Sequence, residues 1–310
     1  MASIVSFGSY LPERVVGNSD LASRLGCTPE WIVQVSGIEE RRYAEPDQTV
    51  ADLAFVAVED CLNRAGITAS SLGMLLVASG SSDRRFPGPA AAVASRLGLE
   101  EKPAIDVPLA SAGSLFAMSL ACRLGDSVGP VMVVGAEKMS AVVAREPQDK
   151  NIAILFGDGA GACLIAPGAG RYRIVDSHIA SDGSFTADLN LPLDGPLQMN
   201  GYSVIMQASR KMPRAISTVL DRNAVAPKEV EAFLMHQANQ NLIDRVAKAL
   251  GVETARFYSN IRLYGNTSSA SMLIAASEWD RQASAAPGAK ICFAAFGAGF
   301  HWGALLAEKS

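Results

Sequence analysis

The chain repeats one helix–strand pattern, and this repeat constrains its fold more than any other feature. Three segments of the first part of the chain recur in the second part at nearly the same spacing. At an offset of 158 residues, 62–67 match 220–225 and 75–77 match 233–235. At an offset of 162 residues, 133–136 match 295–298. We infer an internally duplicated protein whose halves share one core. The N-terminal half is predicted to span residues 1–166 and the C-terminal half residues 167–310, and they meet near Pro167.

Alternation of buried strands with amphipathic helices places the chain in the α/β class, with parallel strands expected. Residues 72–78 and 131–135 are short and apolar, which predicts two buried strands. Residues 49–65 follow a helical period, and Gly66 comes next. The pattern therefore predicts a helix that ends at this glycine.

Composition argues against several classes of protein. The chain is 49% hydrophobic and 19% charged, with a net charge of −4, so no nucleic-acid-binding surface is expected. Residues 107–122 form a long uncharged run, but it contains Pro108 and is shorter than the roughly 20 apolar residues that span a bilayer. We interpret it as a buried helix and expect no membrane segment. The N-terminus lacks the basic region of a secretory signal.

The five cysteines are odd in number and widely scattered, without CxxC or CxxxC spacing: Cys27, Cys61, Cys122, Cys163 and Cys292. Only three histidines are present to help build a metal site. The simplest interpretation is a cytoplasmic protein with reduced thiols, without a disulfide framework or a bound metal.

Three polar residues stand where strands or helices are predicted to begin or end. Ser111 precedes an apolar helical run, His236 follows a predicted strand, and Asn266 lies in a short polar segment. Ligands of α/β folds gather at the carboxyl ends of strands. A nucleophile at a helix start gains from the helix dipole, and two neutral N–H donors can stabilise an enolate oxygen. Together the three residues suit carbon–carbon condensation.

Each residue also has a purely structural interpretation when it is taken alone. Ser111 suits an N-cap, His236 suits a buried core position, and Asn266 suits a turn or a helix N-cap. Their combination favours a site over these separate roles.

Two glycine-rich segments lie near these candidates. Residues 156–162 fit neither the P-loop pattern nor the dinucleotide fingerprint, so we expect a tight backbone turn beside the site. Residues 297–299 have the composition of a turn that presents backbone N–H groups to an oxyanion.

Several segments together resemble the β-ketoacyl synthase III family. They are residues 8–14, 30–33, 37–42, 156–162 and 181–184, with the segments around Ser111, His236, Asn266 and Ala298. The resemblance covers nearly the whole chain. It implies an α/β thiolase fold of five layers, αβαβα, with two pseudo-symmetric halves, and a homodimer.

The resemblance also implies roles for individual residues. Ser111 stands at the position of the family's catalytic Cys, and His236 and Asn266 match the pair that promotes decarboxylation. The N–H groups of Ser111 and Ala298 match the oxyanion hole, where Ala298 replaces a usual glycine.

The reaction implied by the resemblance runs in two steps. An acyl group moves from acyl-CoA to the nucleophile, and it then condenses with malonyl-acyl carrier protein. Trp31 matches a residue that stacks on adenine, and Lys150 preserves a basic contact, so both are expected to bind substrate. The coenzyme A thioester is a substrate, and no resident cofactor is expected.

The sequence departs from the family pattern at several cationic positions. Val35, Asn241 and Met206 stand where basic residues are common, and His301 stands where Thr is common. Loss of cations near the tunnel mouth is expected to weaken binding of phosphate and of an acidic carrier protein.

A serine at position 111 admits three explanations: a natural variant that forms an oxyester, an engineered Cys→Ser variant that traps a ligand, or a partner subunit with decayed activity. The unusual residues 108–109 and 114–115 favour natural divergence. Besides condensation, the alternatives are acyl transfer to a hydroxyl or amine, or a non-catalytic partner of an active ketosynthase.

Overall fold

The computed structural model describes residues 2–283 and 285–310. Within these residues the chain forms thirteen strands and eleven α-helices. The strands are β1 (Ala2–Tyr10), β2 (Arg14–Gly17), β3 (Glu40–Tyr43), β4 (Met74–Ala78), β5 (Ala104–Val107), β6 (Val131–Lys138), β7 (Asp158–Pro167), β8 (Tyr172–Ser181), β9 (Leu189–Asn190), β10 (Gln198–Met199), β11 (Val230–Met235), β12 (Lys290–Gly297) and β13 (His301–Lys309). The helices are α1 (Asn18–Leu25), α2 (Pro29–Ser36), α3 (Val50–Ala65), α4 (Pro89–Arg96), α5 (Gly113–Val128), α6 (Met139–Val143), α7 (Lys150–Ala153), α8 (Gly201–Arg222), α9 (Gln240–Leu250), α10 (Ile261–Tyr264) and α11 (Ser271–Gln282).

Nine strands form one mixed sheet in the order β11-β12-β13-β8-β1-β7-β6-β4-β5. Pairing is parallel between β4 and β5, between β4 and β6, and between β11 and β12, and the other pairs are antiparallel. The expectation of parallel strands was therefore wrong for much of the sheet. In one case the reason is local, because a turn of three residues between β12 and β13 leaves room only for an antiparallel pair.

Within this sheet β1 and β8 pair at two residue pairs, Ser3 with Arg173 and Ile4 with Tyr172, and this short junction separates the part β11-β12-β13-β8 from the part β1-β7-β6-β4-β5. Three hydrophobic clusters pack helices against these two sheet layers, which gives five layers in all. The central cluster joins α5 and α11 to strands of both halves, such as β6 and β12. A second cluster packs α3 and α4 against the strands β4, β6 and β7. A third packs α8 and α9 against β11, β12 and β13. The order helix, sheet, helix, sheet, helix is the αβαβα arrangement of the thiolase fold.

The repeated segments occupy equivalent places in the two halves. Residues 75–77 lie in β4 and pair in parallel with residues 132–134 of β6. Residues 233–235 lie in β11 and pair in parallel with residues 292–294 of β12. The boundary that we place between residues 166 and 167 falls at the end of β7 and stays a prediction.

The helix predicted over residues 49–65 is confirmed as α3. Thr49 caps it, because its hydroxyl accepts the N–H of Asp52 while the Asp52 carboxylate accepts the N–H of Thr49 at 2.7 Å. Gly66 ends it with φ +68°, in the left-handed region. The apolar run predicted as a buried helix begins its helical part only at Gly113.

All five cysteines are free thiols. Among residues 2–283 and 285–310, no helix is both long and apolar enough to cross a membrane.

One glycine of β6 allows the two halves to come into close contact. A Cβ at Gly135 would lie 2.2 Å from the carbonyl oxygen of Ser269, a residue of the C-terminal half. Such an approach is far inside van der Waals contact, so the segment at Ser269 lies where it does because position 135 has no side chain.

Substitution Gly135→Ala is expected to destabilise the protein by about 1–3 kcal/mol, because the methyl group must displace the backbone at Ser269. Guanidinium unfolding followed by tryptophan fluorescence measures the free energy of unfolding. Gly183→Ala is the control, since nothing lies within 4 Å of a Cβ there. Equal unfolding midpoints for the two variants would contradict the proposed close packing.

Candidate active site

Ser111 lies in a strained turn between β5 and α5. Its φ of +64° is in the left-handed region, which a non-glycine residue seldom adopts. The backbone at Gly297 packs closely against this turn, since a Cβ at position 297 would lie only 2.1 Å from the carbonyl oxygen of Ala110. Ser111 is 8% exposed and stands two residues before α5, so it faces the positive end of a sixteen-residue helix. Strain that persists in this way is typical of functional positions.

His236 lies directly after β11 and is buried. Its backbone N–H donates to the carbonyl of Ala294 at 2.8 Å, and this hydrogen bond continues the pairing of β11 with β12. Burial lowers the pKa of His236 to about 4, and an opposing contact with the Ser268 backbone is the smaller effect. The imidazole is therefore neutral near pH 7 and carries one N–H donor.

Ser271 holds the imidazole ring in place. Its hydroxyl lies 2.6 Å from His236 Nδ1, accepts the N–H of Gln237 at 3.0 Å and lies 3.0 Å from the carbonyl of Ser268. The Ser271 hydroxyl has one proton, so either the Ser268 carbonyl or His236 Nδ1 accepts it, and the ring proton stands on Nε2 in the tautomer in which Nδ1 is the acceptor.

Asn266 is fixed by backbone and side-chain contacts. Its N–H donates to the carbonyl of Leu155 at 2.8 Å, and its own carbonyl accepts the N–H of Gly157 at 3.1 Å. The side-chain oxygen Oδ1 accepts the N–H of Ser268 at 2.8 Å. In the described part of the chain Nδ2 has no hydrogen-bond partner, so it is the donor that the residue offers to the cavity it lines.

The glycine-rich segment 156–162 lies beside Asn266 but is not a tight turn. Phe156 forms a β-bridge with Asn266, and β7 begins at Asp158. The glycines permit close packing instead, since a Cβ at Gly157 would lie 2.3 Å from the carbonyl oxygen of Tyr264. The prediction of a turn was wrong because glycine is favoured both in tight turns and where two backbones pack closely, and the sequence does not distinguish the two.

One cavity of about 140 Å³ brings four of the predicted residues together: Ser111, His236, Asn266 and Ala298. Its remaining walls are mostly apolar and come from segments far apart in the sequence: Met139, Val142, Leu155, Phe156, Leu189, Leu191, Leu197, Met199, Val204, Ile205, Leu242 and Phe296. The arrangement places a serine hydroxyl and N–H donors in an apolar pocket, where such donors would strongly stabilise a developing negative charge.

One donor of the predicted oxyanion hole already has a partner. The N–H of Ser111 donates to the hydroxyl of Ser268 at 3.0 Å, and the two hydroxyl oxygens are 3.5 Å apart. Ser268 also adopts a left-handed φ, of +47°. A substrate carbonyl that uses the N–H of Ser111 must therefore displace the Ser268 hydroxyl. The oxyanion-hole roles of Ser111 and Ala298 stay predictions.

Trp31 and Lys150 lie outside the cavity but next to one another. The Lys150 ammonium is 5.6 Å from the centre of the Trp31 ring. Trp31 packs against the same small cluster as Leu155, which lines the cavity. The two residues predicted to bind substrate therefore form a cation–aromatic pair beside the cavity.

Two of the positions that lack the expected cations also contact each other. The side-chain amides of Asn239 and Asn241 donate to the carbonyl of Val35, at 2.9 and 3.2 Å. Neutral amide contacts thus join α9 to α2 where the resemblance predicts positive charge.

Among the residues that the structure describes, no group of three His, Cys, Asp or Glu side chains is placed to hold a metal ion.

Sequence reasoning missed the roles of Ser268 and Ser271 and most of the apolar walls. The sequence predicted the segment around Asn266 as part of the site, but nothing local distinguishes a serine that contacts Ser111 from its neighbours. The apolar walls carry no motif at all, because many separate segments contribute to them.

Solved structures define the class of protein. The crystal structure of 3-oxoacyl-[acyl-carrier-protein] synthase III from Aquifex aeolicus superposes with a TM-score of 0.95 at 32% identity, covering 99% of this chain and 100% of that one. The priming β-ketosynthase of the R1128 polyketide pathway superposes with a TM-score of 0.92 at 29% identity, covering 100% and 96%. The protein is an acyltransferase of the thiolase fold.

Sequence comparisons give the family. The family model for 3-oxoacyl-[acyl-carrier-protein (ACP)] synthase III matches residues 105–183, and the model for its C-terminal part matches residues 220–309. The β-ketoacyl-[acyl-carrier-protein] synthase III 1 of Vibrio parahaemolyticus is 35% identical over 317 residues, with 99% of each chain covered. The chain belongs to the 3-oxoacyl-[acyl-carrier-protein] synthase III family.

The low pKa of His236 makes the stability of the protein depend on pH. The unfolded chain binds a proton at this residue below about pH 6.5, whereas the folded protein binds one only near pH 4. Stability is therefore lost as the pH falls from about 6.5 to 4, by up to ~3 kcal/mol.

We expect His236→Asn to remove this loss. The free energy of unfolding of both proteins, measured in urea from pH 7 to pH 4, should differ by a pH-dependent amount. The wild type should lose more stability than the variant, because all other titrating groups are common to both. Parallel curves would show that His236 is not buried in its neutral form.

Proposed function

We propose that the protein transfers an acyl group from acyl-CoA to Ser111 and condenses it with malonyl-acyl carrier protein, with release of carbon dioxide. The observation that carries the proposal is one apolar cavity lined by Ser111, by a neutral His236 and by an Asn266 whose Nδ2 has no partner among the described residues. The coenzyme A thioester is a substrate, and the chemistry below needs only side-chain and backbone groups of the chain.

In the first half-reaction Ser111 Oγ attacks the thioester carbonyl. A C–O bond forms, the C–S bond breaks, and the hydroxyl proton leaves on the coenzyme A thiol. The N–H groups of Ser111 and Ala298 stabilise the oxyanion once the carbonyl oxygen displaces the Ser268 hydroxyl. Because a serine hydroxyl is a weaker nucleophile than a thiolate, we expect acylation to be slow.

In the second half-reaction the malonyl group loses carbon dioxide and leaves an enolate. His236 Nε2–H and Asn266 Nδ2–H donate to the enolate oxygen, and the enolate carbon attacks the Ser111 ester carbonyl. The C–O bond to Ser111 breaks, and its oxygen takes up one proton from solvent, so that carbon dioxide and the β-ketoacyl thioester are the products. A neutral imidazole suits this role, since it donates a hydrogen bond without carrying a charge that would have to be desolvated.

The surroundings of the cavity support a short, apolar starter acyl group on coenzyme A. Apolar side chains such as Met139, Leu191 and Leu197 line the space near the site and offer no hydrogen bonds to a polar chain. Trp31 and Lys150 offer an aromatic face and a cation, which suit the adenine ring and the phosphates of coenzyme A.

The hydrogen bonds that fix the side chains of His236 and Asn266 favour condensation over simple acyl transfer. Acyl transfer to a hydroxyl or amine needs an oxyanion hole but no second pair of donors for an enolate. Asn266 is held by three hydrogen bonds and His236 by Ser271, and this arrangement suits a second oxyanion.

The two half-reactions can be tested separately by intact-protein mass spectrometry and by release of carbon dioxide. Ser111→Ala should lose the mass gained from acyl-CoA but retain decarboxylation of malonyl-CoA. The double variant His236→Ala/Asn266→Ala should show the opposite result. Ser111→Cys should acylate faster than the wild type, because a thiolate is the better nucleophile at a helix N-terminus.

Acyl labelling that persists in Ser111→Ala would exclude this serine as the nucleophile. Unchanged carbon dioxide release by the double variant would exclude the proposed donors. An unlabelled wild-type protein would favour a non-CoA donor, a ligand-trapping variant or a non-catalytic partner subunit.

We also propose that the protein forms a homodimer through the edge strand β5. This strand ends the sheet, and Ile105 on it is 47% exposed. Phe86 in a preceding loop is 85% exposed, so the edge is flanked by apolar surface. An open edge of this kind pairs readily with a second copy of the same strand.

Sedimentation velocity should give about twice the chain mass of 32.5 kDa for the wild type. Ile105→Asp should shift the protein toward the monomer, because a charge would be buried at the paired edge. Val15→Asp is the control, since Val15 is equally exposed but lies in the small sheet of β2 and β3. A wild type that sediments as a monomer would refute the proposal.

A cytoplasmic location is the final part of the proposal. Five free thiols, three of them buried, suit a reducing compartment. Detection of the protein in a fractionated cell, with a cytoplasmic marker as reference, tests it, and recovery in an oxidising compartment would oppose it.

A further inference from the structure

The hydroxyl of Ser268 lies against the proposed nucleophile, and the half-reactions described above give it no chemical role. Ser268 is 1% exposed and lines the catalytic cavity. Its Oγ accepts the N–H of Ser111 at 3.0 Å and lies 3.5 Å from Ser111 Oγ. Among the described residues, no other side chain lies within hydrogen-bond distance of Ser111 Oγ.

His236 is poorly placed to take the proton of the Ser111 hydroxyl. Its Nδ1 lies 2.6 Å from Ser271 Oγ, and in the described part of the chain no hydrogen bond joins the imidazole to Ser111. Burial lowers the pKa of His236 to about 4, so the ring is also a weak base. A serine hydroxyl stays protonated near pH 7, unlike a thiolate, and therefore needs a proton acceptor when it attacks.

Ser268 is held firmly beside Ser111 by contacts on both sides of the residue. Its N–H donates to Asn266 Oδ1 at 2.8 Å, and its carbonyl oxygen lies 3.0 Å from Ser271 Oγ. The next residue, Ser269, donates its hydroxyl to the buried carboxylate of Glu137 at 2.6 Å. Ser268 keeps a left-handed φ of +47° in this setting, and such strain is typical of functional positions. The hydroxyl is therefore pre-organised at the site.

The binding of a thioester would free a lone pair on Ser268 Oγ. A hydroxyl oxygen has two acceptor lone pairs and one proton. In the structure one lone pair of Ser268 accepts the N–H of Ser111. When the thioester carbonyl takes that N–H, the lone pair becomes available to the Ser111 hydroxyl. Catalytic hydrogen bonds that are long in the free enzyme tighten in the substrate complex, so the separation of 3.5 Å does not prevent this contact.

We propose that Ser268 is a catalytic residue that relays the proton of Ser111 to the leaving sulfur of acyl-CoA. This inference rests on the function proposed above. As Ser111 Oγ forms the C–O bond, its proton moves to Ser268 Oγ. The original hydroxyl proton of Ser268 moves to the sulfur as the C–S bond breaks. The products are the Ser111 ester and the coenzyme A thiol, and Ser268 is again a neutral hydroxyl.

The relay avoids the formation of a charged serine. The sulfur is bonded to the carbon that Ser111 Oγ attacks, so this carbon, the two hydroxyl groups and the sulfur can form a closed ring. Both protons can then move together with the acyl group. An alkoxide in the apolar cavity would be costly to form, and the ring of neutral groups avoids that cost.

The test removes the Ser268 hydroxyl in two backgrounds, the wild type and Ser111→Cys. Acylation by acetyl-CoA and by butanoyl-CoA is followed by thiol release and by intact-protein mass. Ser268→Ala is compared with Ser268→Gly, because glycine adopts the φ of +47° without strain. Ser114→Ala is the matched control, since Ser114 is a buried serine of α5 whose hydroxyl has no hydrogen-bond partner among the described residues.

In the wild-type background both Ser268 variants should acylate about 100-fold more slowly, which is typical for loss of a proton-transfer group. In the Ser111→Cys background the same substitutions should change the rate less than about threefold, because a thiol ionises before it attacks. Ser114→Ala should acylate as fast as the wild type.

The solvent isotope effect gives a second readout that a purely structural role of Ser268 would not produce. The acylation rate of the wild type, measured in mixtures of H₂O and D₂O, should fall along a curve as the deuterium fraction rises, because two protons move in one step. The rate of Ser111→Cys should show no such curvature.

Several results would overturn the relay. An equal fold-loss in both backgrounds would show that Ser268 only supports the structure of the site. A loss in Ser268→Ala that is absent in Ser268→Gly would assign the effect to backbone strain. A linear dependence on deuterium would mean that one proton moves. A wild type that is acylated no faster than Ser268→Ala would exclude the relay and leave the proposed function standing. A wild type that takes no acyl group from either donor would refute the proposed acylation together with the relay.

Discussion

The buried carboxylate of Glu137 connects the two halves of the protein at the site. It accepts the N–H of Gly80 at 3.0 Å and the hydroxyl of Ser81, both from the N-terminal half. It also accepts the hydroxyl of Ser269 at 2.6 Å, from the C-terminal half. A carboxylate that is completely buried costs much free energy unless donors surround it, so the surrounding segments must keep their positions. The loop from Asn266 to Ser271 depends on this anchor.

Backbone strain at the site is maintained by packing from the opposite half. Ser111 and Ser268 both have positive φ angles, and their side chains meet across the junction of the halves. Neither conformation is favourable for a serine alone, so each persists because its neighbours leave no other space. Gly297 contributes by bringing its backbone against the turn at Ala110. The position of Ser111, the proposed nucleophile, is therefore a property of the assembled core.

The polar residues of the site were predictable from the sequence, while its shape was not. Ser111, His236 and Asn266 stand next to predicted strands and helices, and the ends of such elements converge in α/β folds. The hydroxyl of Ser268 on the Ser111 N–H and the contact of Ser271 with His236 depend on side-chain directions, which no local pattern specifies. The parallel-sheet expectation failed for a related reason: apolar runs identify buried strands but not the direction of their neighbours.

The sequence by itself determined the duplicated α/β architecture, the capped helix at Thr49 and the candidate residues, because hydrophobic period, capping and turn chemistry act over a few residues. Only the tertiary structure decided which walls enclose the cavity, that burial leaves His236 neutral, and that the Ser268 hydroxyl lies against Ser111. These properties arise between segments far apart in the chain. Burial, pKa and side-chain contacts depend on distances that exist only after the core has formed.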